Sequence, residues 1–163
     1  MKTLIFIRHS KSSWKNANLS DHERPLNKRG NNDARLISDF LSNIINTVDI
    51  LHCSSSERTR ETADYFIKKI NFSNCIYDDD LYHISSDNLL KIIRDYNNDI
   101  DSLMMIAHNP GLTNFVNLMT DLELWNLPTT GMVAINFNVD SWEMIDKTNG
   151  NVFCKKFPKE LKK

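Results

Sequence analysis

Apolar positions along the chain follow two alternating periods. Residues 3–7 are a short apolar run that ends in polar residues, which predicts a buried strand. From Ala34 the apolar residues Ala34, Ile37, Phe40, Leu41, Ile44 and Ile45 recur at helical spacing and predict an amphipathic helix. Residues 48–53 predict the next strand. Ser54 and Glu57 match a capping box, opening a helix whose buried stripe is Ala63, Phe66, Ile67 and Ile70. Leu89, Ile92, Ile93 and Tyr96 form another helical stripe, behind the cap candidates Ser86 and Asp87. Residues 103–107 predict a continuous apolar strand, and Pro110 falls at the start of a helix striped by Leu112, Phe115, Val116 and Met119. Residues 132–137, 142–145 and 152–157 predict three further strands, separated by turns at 138–140 and at Asn149-Gly150. Strands alternating with helices define an α/β three-layer sandwich, a mainly parallel central sheet flanked by helices. The last strands follow one another without helices, so that edge is expected to be antiparallel.

Composition narrows the class. With 163 residues, 40% hydrophobic and 25% charged, the chain reads as one globular domain, 1–163, with a short basic tail from about 158. The 20 Lys and Arg nearly balance 21 Asp and Glu, for a formal net charge of −1. That balance argues against extended nucleic acid or a membrane surface as partner, since both need a basic excess. The lysines between Lys155 and Lys163 read as a solvated tail. Cys53, Cys75 and Cys154 are widely spaced, which fits neither a disulfide framework nor a zinc site and suits a reducing, cytoplasmic setting. The first apolar run is cut off by Arg8, so it is not read as a signal peptide. Residues 102–120 lack Asp, Glu, Lys and Arg, but His108, Asn109, Pro110, Gly111, Asn114 and Asn117 make them a buried strand, turn and helix, not a membrane span.

Three polar clusters follow three of the expected strands. Arg8-His9 follows the first, residues 54–58 the second, and His108-Asn109 the strand before Pro110. In open α/β sheets, ligands bind beyond the carboxyl ends of strands, so distant segments would deliver two arginines and two histidines to one crevice. Helix N-termini near Ser55 and Pro110 add backbone donors and positive dipole ends, making a pocket for a dianion. Only seven residues are Arg against thirteen Lys, yet Arg8, Arg24, Arg58 and Arg60 lie in or beside these clusters. Guanidinium forks bind phosphate oxygens bidentately. Arg24 and Arg60 are read as surface or structural ion-pair residues, and His22 and His52 as structural histidines.

Arg8-His9-Ser10-Lys11-Ser12-Ser13-Trp14 resembles the Arg-His-Gly signature of the histidine phosphatase superfamily, the phosphoglycerate-mutase-like enzymes. Its Lys-Ser-Ser-Trp continuation is similar to the small SixA-type phosphohistidine phosphatases. Further matches recur in order: Arg24-Pro25-Leu26 with Arg29-Gly30, then Arg58 to Ala63, then Ala107-His108-Asn109-Pro110-Gly111. The resemblance implies phosphoryl transfer through a covalent phosphohistidine. On that pattern His9 is the nucleophile, while Arg8, Arg58 and His108 hold the phosphoryl oxygens. Arginine charges would keep the imidazole unprotonated, and fixed donors would stabilise the transition state without a metal or other cofactor.

Two departures bear on substrate. Ser10 stands where glycine is commonest, and Lys15 where mutase-type relatives carry asparagine. The general acid is also missing: Asn109 occupies the position where acid-phosphatase relatives carry an aspartate, and the chain leaves little room for a cap that supplies a glutamate. Asp80, Tyr82 and His83 are the nearest candidates for a proton donor or for the pocket rim. A phosphohistidine can leave as neutral imidazole once its other ring nitrogen is protonated, so it needs a strong acid less than an alkoxide does. An open pocket without such an acid points to phosphohistidine in a protein. The alternatives are a small phosphate ester as substrate, or a non-catalytic phosphate-binding docking module, which would not need His9.

Overall fold

A computed structural model describes residues 1–162. The central elements follow the hydrophobic pattern. β1 (Lys2–Arg8) and β4 (Ser102–Ala107) lie side by side in the sheet, and Leu4 to Ile7 and Leu103 to Ala107 are wholly buried. Strands covered on both faces need unbroken apolar runs, which is what these segments supply. β2 (Thr47–Ser54), β3 (Asn71–Asp78), β5 (Met132–Phe137) and β6 (Gly150–Lys156) complete one six-stranded sheet in the order β3-β2-β4-β1-β5-β6. The β3, β2, β4 and β1 pairings are parallel, whereas β5 and β6 run antiparallel to their neighbours. The expected mainly parallel sheet with an antiparallel edge is therefore present.

Helices cover both faces. α1 (Lys28–Ser42) and α2 (Glu57–Ile67) bury Ile37, Leu41, Ala63 and Phe66 against Ile5, Ile7, Leu51 and Met104. α3 (Ser86–Arg94) and α4 (Gly111–Met119) bury Leu89, Ile93, Leu112 and Phe115 against Leu4, Phe6, Leu103 and Met105 on the other face. Each such side chain contributes about 1.5–3 kcal/mol by leaving water. The chain leaves β1 for α1 on one face and β4 for α4 on the other. The crevice between these two strands is thus the topological switch point where α/β folds bind ligands.

Three expectations need correction, and one strand, β3, was not anticipated. Residues 142–145 are not a strand: Trp142–Met144 is a 3-10 turn, because the Trp142 N–H and indole Nε1 donate to Asn98 Oδ1 (3.0 Å) and the Ile100 carbonyl (2.7 Å). β3 escaped the apolar pattern because it is an edge strand of mixed polarity, drawn in by backbone pairing with β2. Ser54 does not cap a helix: it ends β2, and Ser56 is the N-cap of α2. The basic C-terminal segment is not a solvated tail, since Lys155 and Lys156 lie in β6, Pro158 is buried, and Lys162 Nζ is 2.8 Å from the buried Asp33 carboxylate. Lys163 lies outside the described residues.

Candidate active site

The parallel register sets Arg8 beside Ala107 and Cys53 beside Ile106. One step further along β1 and β4, His9 and His108 emerge together, with ring centroids 5.2 Å apart. Arg58 enters from the first turn of α2, 3% exposed, and completes the cluster. Its Nε lies 3.5 Å from His9 Nε2, and its Nη2 3.5 Å from His108 Nδ1. Arg8 is half-buried: Nη1 donates to the Leu127 carbonyl (2.9 Å), while Nε is buried with no partner among the described residues. The structure therefore brings His9, Arg8, Arg58 and His108 to one crevice.

Protonation follows from these contacts. His9 Nδ1 lies 2.8 Å from the Ser10 carbonyl, which can only accept, so Nδ1 carries the hydrogen. Nε2 is left with its lone pair directed toward Arg58. Burial, with the charges of Arg58, Arg8 and Arg24, lowers the His9 pKa to about 3, outweighing the carbonyl bond that favours protonation. His108 Nε2 bonds the Ser54 hydroxyl (2.8 Å). Its burial, with His9, Arg58 and His83 nearby, holds it neutral well below the ordinary histidine range. Two neutral imidazoles thus face two arginines, an arrangement complementary to an anion.

Asp21, which the sequence reading missed, organises these cations. Arg58 donates to its carbonyl (Nη1, 2.7 Å) and its carboxylate (Nη2, 3.0 Å), Arg24 donates to the same carboxylate (Nη2, 2.9 Å), and the Tyr82 hydroxyl also bonds it. The Tyr82 hydroxyl, followed by the two arginines, holds the Asp21 carboxyl far below the usual carboxylate range. An aspartate three residues before an arginine in a polar loop was its only trace in the sequence. Arg24, read as an ion-pair residue, is one: it is buried, bonds Ser12 Oγ (2.6 Å) and lies under the Trp14 ring at 3.6 Å. Arg60 donates to the Ser55 carbonyl, and His52 is buried between Asp78 and Tyr96, both structural as expected.

The three rim candidates separate. Tyr82 and His83 flank His108, with ring centroids 5.2 and 5.6 Å from its ring, and His83 Nε2 is 3.7 Å from Asp21 Oδ2. His83 adopts a left-handed backbone (φ 55°), a conformation in which histidine is commoner than most residues. Asp80 lines a neighbouring cavity of about 520 Å³ with Tyr82 and His83, and none of its side-chain atoms bonds the site among the described residues. The rim is latched from below, where Ser55 Oγ bonds both His22 (3.0 Å) and the Asp79 carboxylate. Asn109 is fully occupied: Nδ2 donates to Asn126 Oδ1 and the Leu127 carbonyl, while Oδ1 accepts from the Thr113 N–H and hydroxyl.

Two motif glycines allow these elements to meet. A Cβ on Gly111 would lie 2.1 Å from the Ile84 carbonyl oxygen, so α4 can abut the segment carrying Tyr82 and His83 only without one. A Cβ on Gly30 would lie equally close to the Lys11 carbonyl oxygen. Ser10 has a use as well: its hydroxyl accepts from Thr130 Oγ1 (2.6 Å), anchoring a threonine held at φ 60° whose N–H donates to the Arg8 carbonyl. Left-handed threonine is strained, and such strain collects at functional sites.

An α/β sheet with arginines and neutral histidines at its carboxyl edge defines an oxyanion site of the phosphoryl-transfer kind. Residues 4–89 match the model of the histidine phosphatase superfamily (branch 1), and the chain belongs to that family. An uncharacterized chloroplastic protein of Arabidopsis thaliana is 28% identical over 152 residues, 87% of this chain and 69% of that protein. Among solved structures, the protein histidine phosphatase SixA in complex with tungstate superposes with a TM-score of 0.76 at 20% identity, covering 98% of this chain and 99% of that one. A phosphoserine phosphatase from Entamoeba histolytica, in complex with 3-phosphoglyceric acid, superposes with a TM-score of 0.65 at 14% identity, covering 95% and 96%. At these identities the two structures establish the fold, phosphoglycerate-mutase-like.

Proposed function

We propose that the protein is a phosphatase that works through a covalent phosphohistidine on His9 and acts on phosphohistidine in proteins. The observation that carries this reading is His9 Nε2, left with its lone pair by the bond from Nδ1 to the Ser10 carbonyl and lying 3.5 Å from Arg58 Nε. Nε2 attacks phosphorus as the bond from phosphorus to the substrate nitrogen breaks, and the substrate leaves as neutral imidazole carrying its proton on the other ring nitrogen. Arg8, Arg58 and the N-terminal ends of α2 and α4 oppose charge on the equatorial oxygens throughout. His108 Nδ1 faces the same space, and a bound dianion favours its protonation, turning it into a further donor. Water then attacks the phosphorus on His9, releasing phosphate and regenerating the imidazole.

His83 is the rim side chain we assign to protonate a departing group, with Asp21 and Tyr82 positioning it and Asp80 outside the reaction. That placement favours a second reading, hydrolysis of small phosphate esters, in which the acid protonates the bridging oxygen. The phosphoserine phosphatase of the same fold supports keeping it in view. A direct comparison decides between the two. The purified protein is given a chemically histidine-phosphorylated protein, and in parallel a set of sugar phosphates and nucleotides. A larger kcat/KM on the phosphoprotein is expected; much faster turnover of the small esters would overturn the substrate assignment.

A further inference from the structure

Beside the crevice the surface is concave and basic, which the net charge of −1 conceals. Two clefts meet at Arg29. One, of about 380 Å³, runs between the segment after His9 and the start of α1, walled by Lys15, Lys28 and Arg29. The other, of about 220 Å³, lies between the 126–129 loop and the C-terminal turn, walled by Arg29, Lys159 and Lys162. No carboxylate lines either cleft. Three carboxylates bonded to lining residues or adjacent to one in sequence are engaged: Asp33 is buried beneath Arg29 and Lys162, Glu61 accepts the Leu26 N–H, and Glu160 pairs with Lys156. Lys15, Lys28 and Lys159 are exposed and form no ion pair among the described residues.

Both clefts are built on the segments that make the site. The Ser13 N–H donates to the Pro25 carbonyl, and Arg24 joins Ser12 to Asp21. The loop after Asn126 supplies the Leu127 carbonyl to Arg8 and the Thr130 N–H to the Arg8 carbonyl. Asp79 and Asp80 follow β3, at the sheet edge opposite β6 and the C-terminal turn. Scattered exposed lysines ordinarily serve solubility. Here cations line two adjoining clefts that hold no carboxylate, and that gives the approaching substrate an orientation.

We propose that this face receives an acidic stretch of the phosphorylated protein, carboxylates near the phosphorylated side chain lying along Lys15, Lys28, Arg29 and Lys159 while the phosphoryl group enters between Arg8 and Arg58. The proposal rests on the reading of a protein as substrate. It sets specificity by charge around the modified residue, a property the reaction chemistry does not require.

The test uses synthetic peptides carrying one phosphohistidine flanked by glutamates or by lysines, with p-nitrophenyl phosphate as a small control. At low ionic strength, where screening acts over about 30 Å, kcat/KM is expected to be about tenfold higher for the glutamate-flanked peptide and to lose that advantage as salt rises. The Lys28→Glu/Lys159→Glu double variant should reverse the preference and leave p-nitrophenyl phosphate turnover unchanged, whereas Lys68→Glu, at the far end of α2, should change neither. Peptides hydrolysed without a charge preference, or a preference that Lys68→Glu removes equally, would overturn the docking face while leaving the phosphohistidine reading intact. Failure to hydrolyse any peptide while the ester is turned over would overturn both. Binding to phosphatidylserine vesicles or to RNA that the double variant abolishes, with no peptide preference, would reassign the face to a different partner and so overturn this one.

Discussion

Asp21 and Asn109 show how strongly one side chain's partners decide its chemistry. Asp21 bonds Arg58, Arg24 and Tyr82 together, so Asp21→Asn should leave the fold intact but loosen the guanidinium that faces His9. Misplacing such a group by about 1 Å can cost on the order of a hundredfold, so kcat/KM should fall by about tenfold to a hundredfold while a phosphoenzyme still forms. Asn109→Asp tests the position where related phosphatases carry an acid. A carboxylate cannot donate to Asn126 and Leu127, so the variant should gain no ester hydrolysis and should lose about 1–3 kcal/mol of stability, read by chemical denaturation. His83→Asn should slow alkyl phosphates by about a hundredfold and leave aryl phosphates, whose leaving groups need no proton, almost unchanged. Equal loss on both would remove His83 as proton donor. His9, Arg8, Arg58 and His108 were legible in the sequence because each directly follows an apolar run or sits in a motif. Asp21 was not, because its importance comes from partners between three and sixty-one positions away.

At the scale of elements, the site depends on how closely two helices approach two loops. Gly111→Ala would force a methyl group onto the Ile84 backbone, so α4 or the Tyr82–His83 segment must shift. Overpacking of this kind costs about 1–3 kcal/mol, and a lower thermal midpoint together with lost activity is expected. Activity lost at unchanged stability would mean that the close approach is catalytic but not structural. The same scale explains what the hydrophobic pattern could and could not give. Central strands and the four helices were readable because burial on two faces, or on one stripe, imposes a period. β3 was not, since an edge strand with Asn71, Ser73 and Asn74 has little apolar alternation and is specified by its pairing with β2. Trp142 misled because a large apolar residue fits a strand equally well, and only its bonds to Asn98 and Ile100 select a turn. Ser54 matched a capping pattern by spacing alone, while its hydroxyl serves His108.

For the whole molecule, the two buried, neutral histidines make the crevice a source of instability that ligand and pH both reveal. Folded His9 stays neutral down to about pH 3, whereas an unfolded histidine takes up a proton near 6.5. His108 is depressed in the same direction. Below pH 6.5 the unfolded chain therefore binds protons that the native one does not, and stability falls as pH drops from there toward 3. Each such histidine contributes up to about 1.4 kcal/mol per pH unit. Melting curves between pH 6.5 and 4.5 should be less steep with pH for His9→Gln than for the natural chain; an identical slope would contradict the buried neutral imidazole. Phosphate, binding the native state alone, should raise the thermal midpoint. The near-zero net charge gave no sign of this crevice, because the total averages over local asymmetry. The most direct test of the central claim is to mix the protein with a radiolabelled phosphoryl donor, quench in alkali and map the label. The account predicts an acid-labile, alkali-stable phosphoryl group on His9 that is absent from His9→Gln. Turnover that continues with no phosphoenzyme on any donor, or label on a different residue, would contradict it.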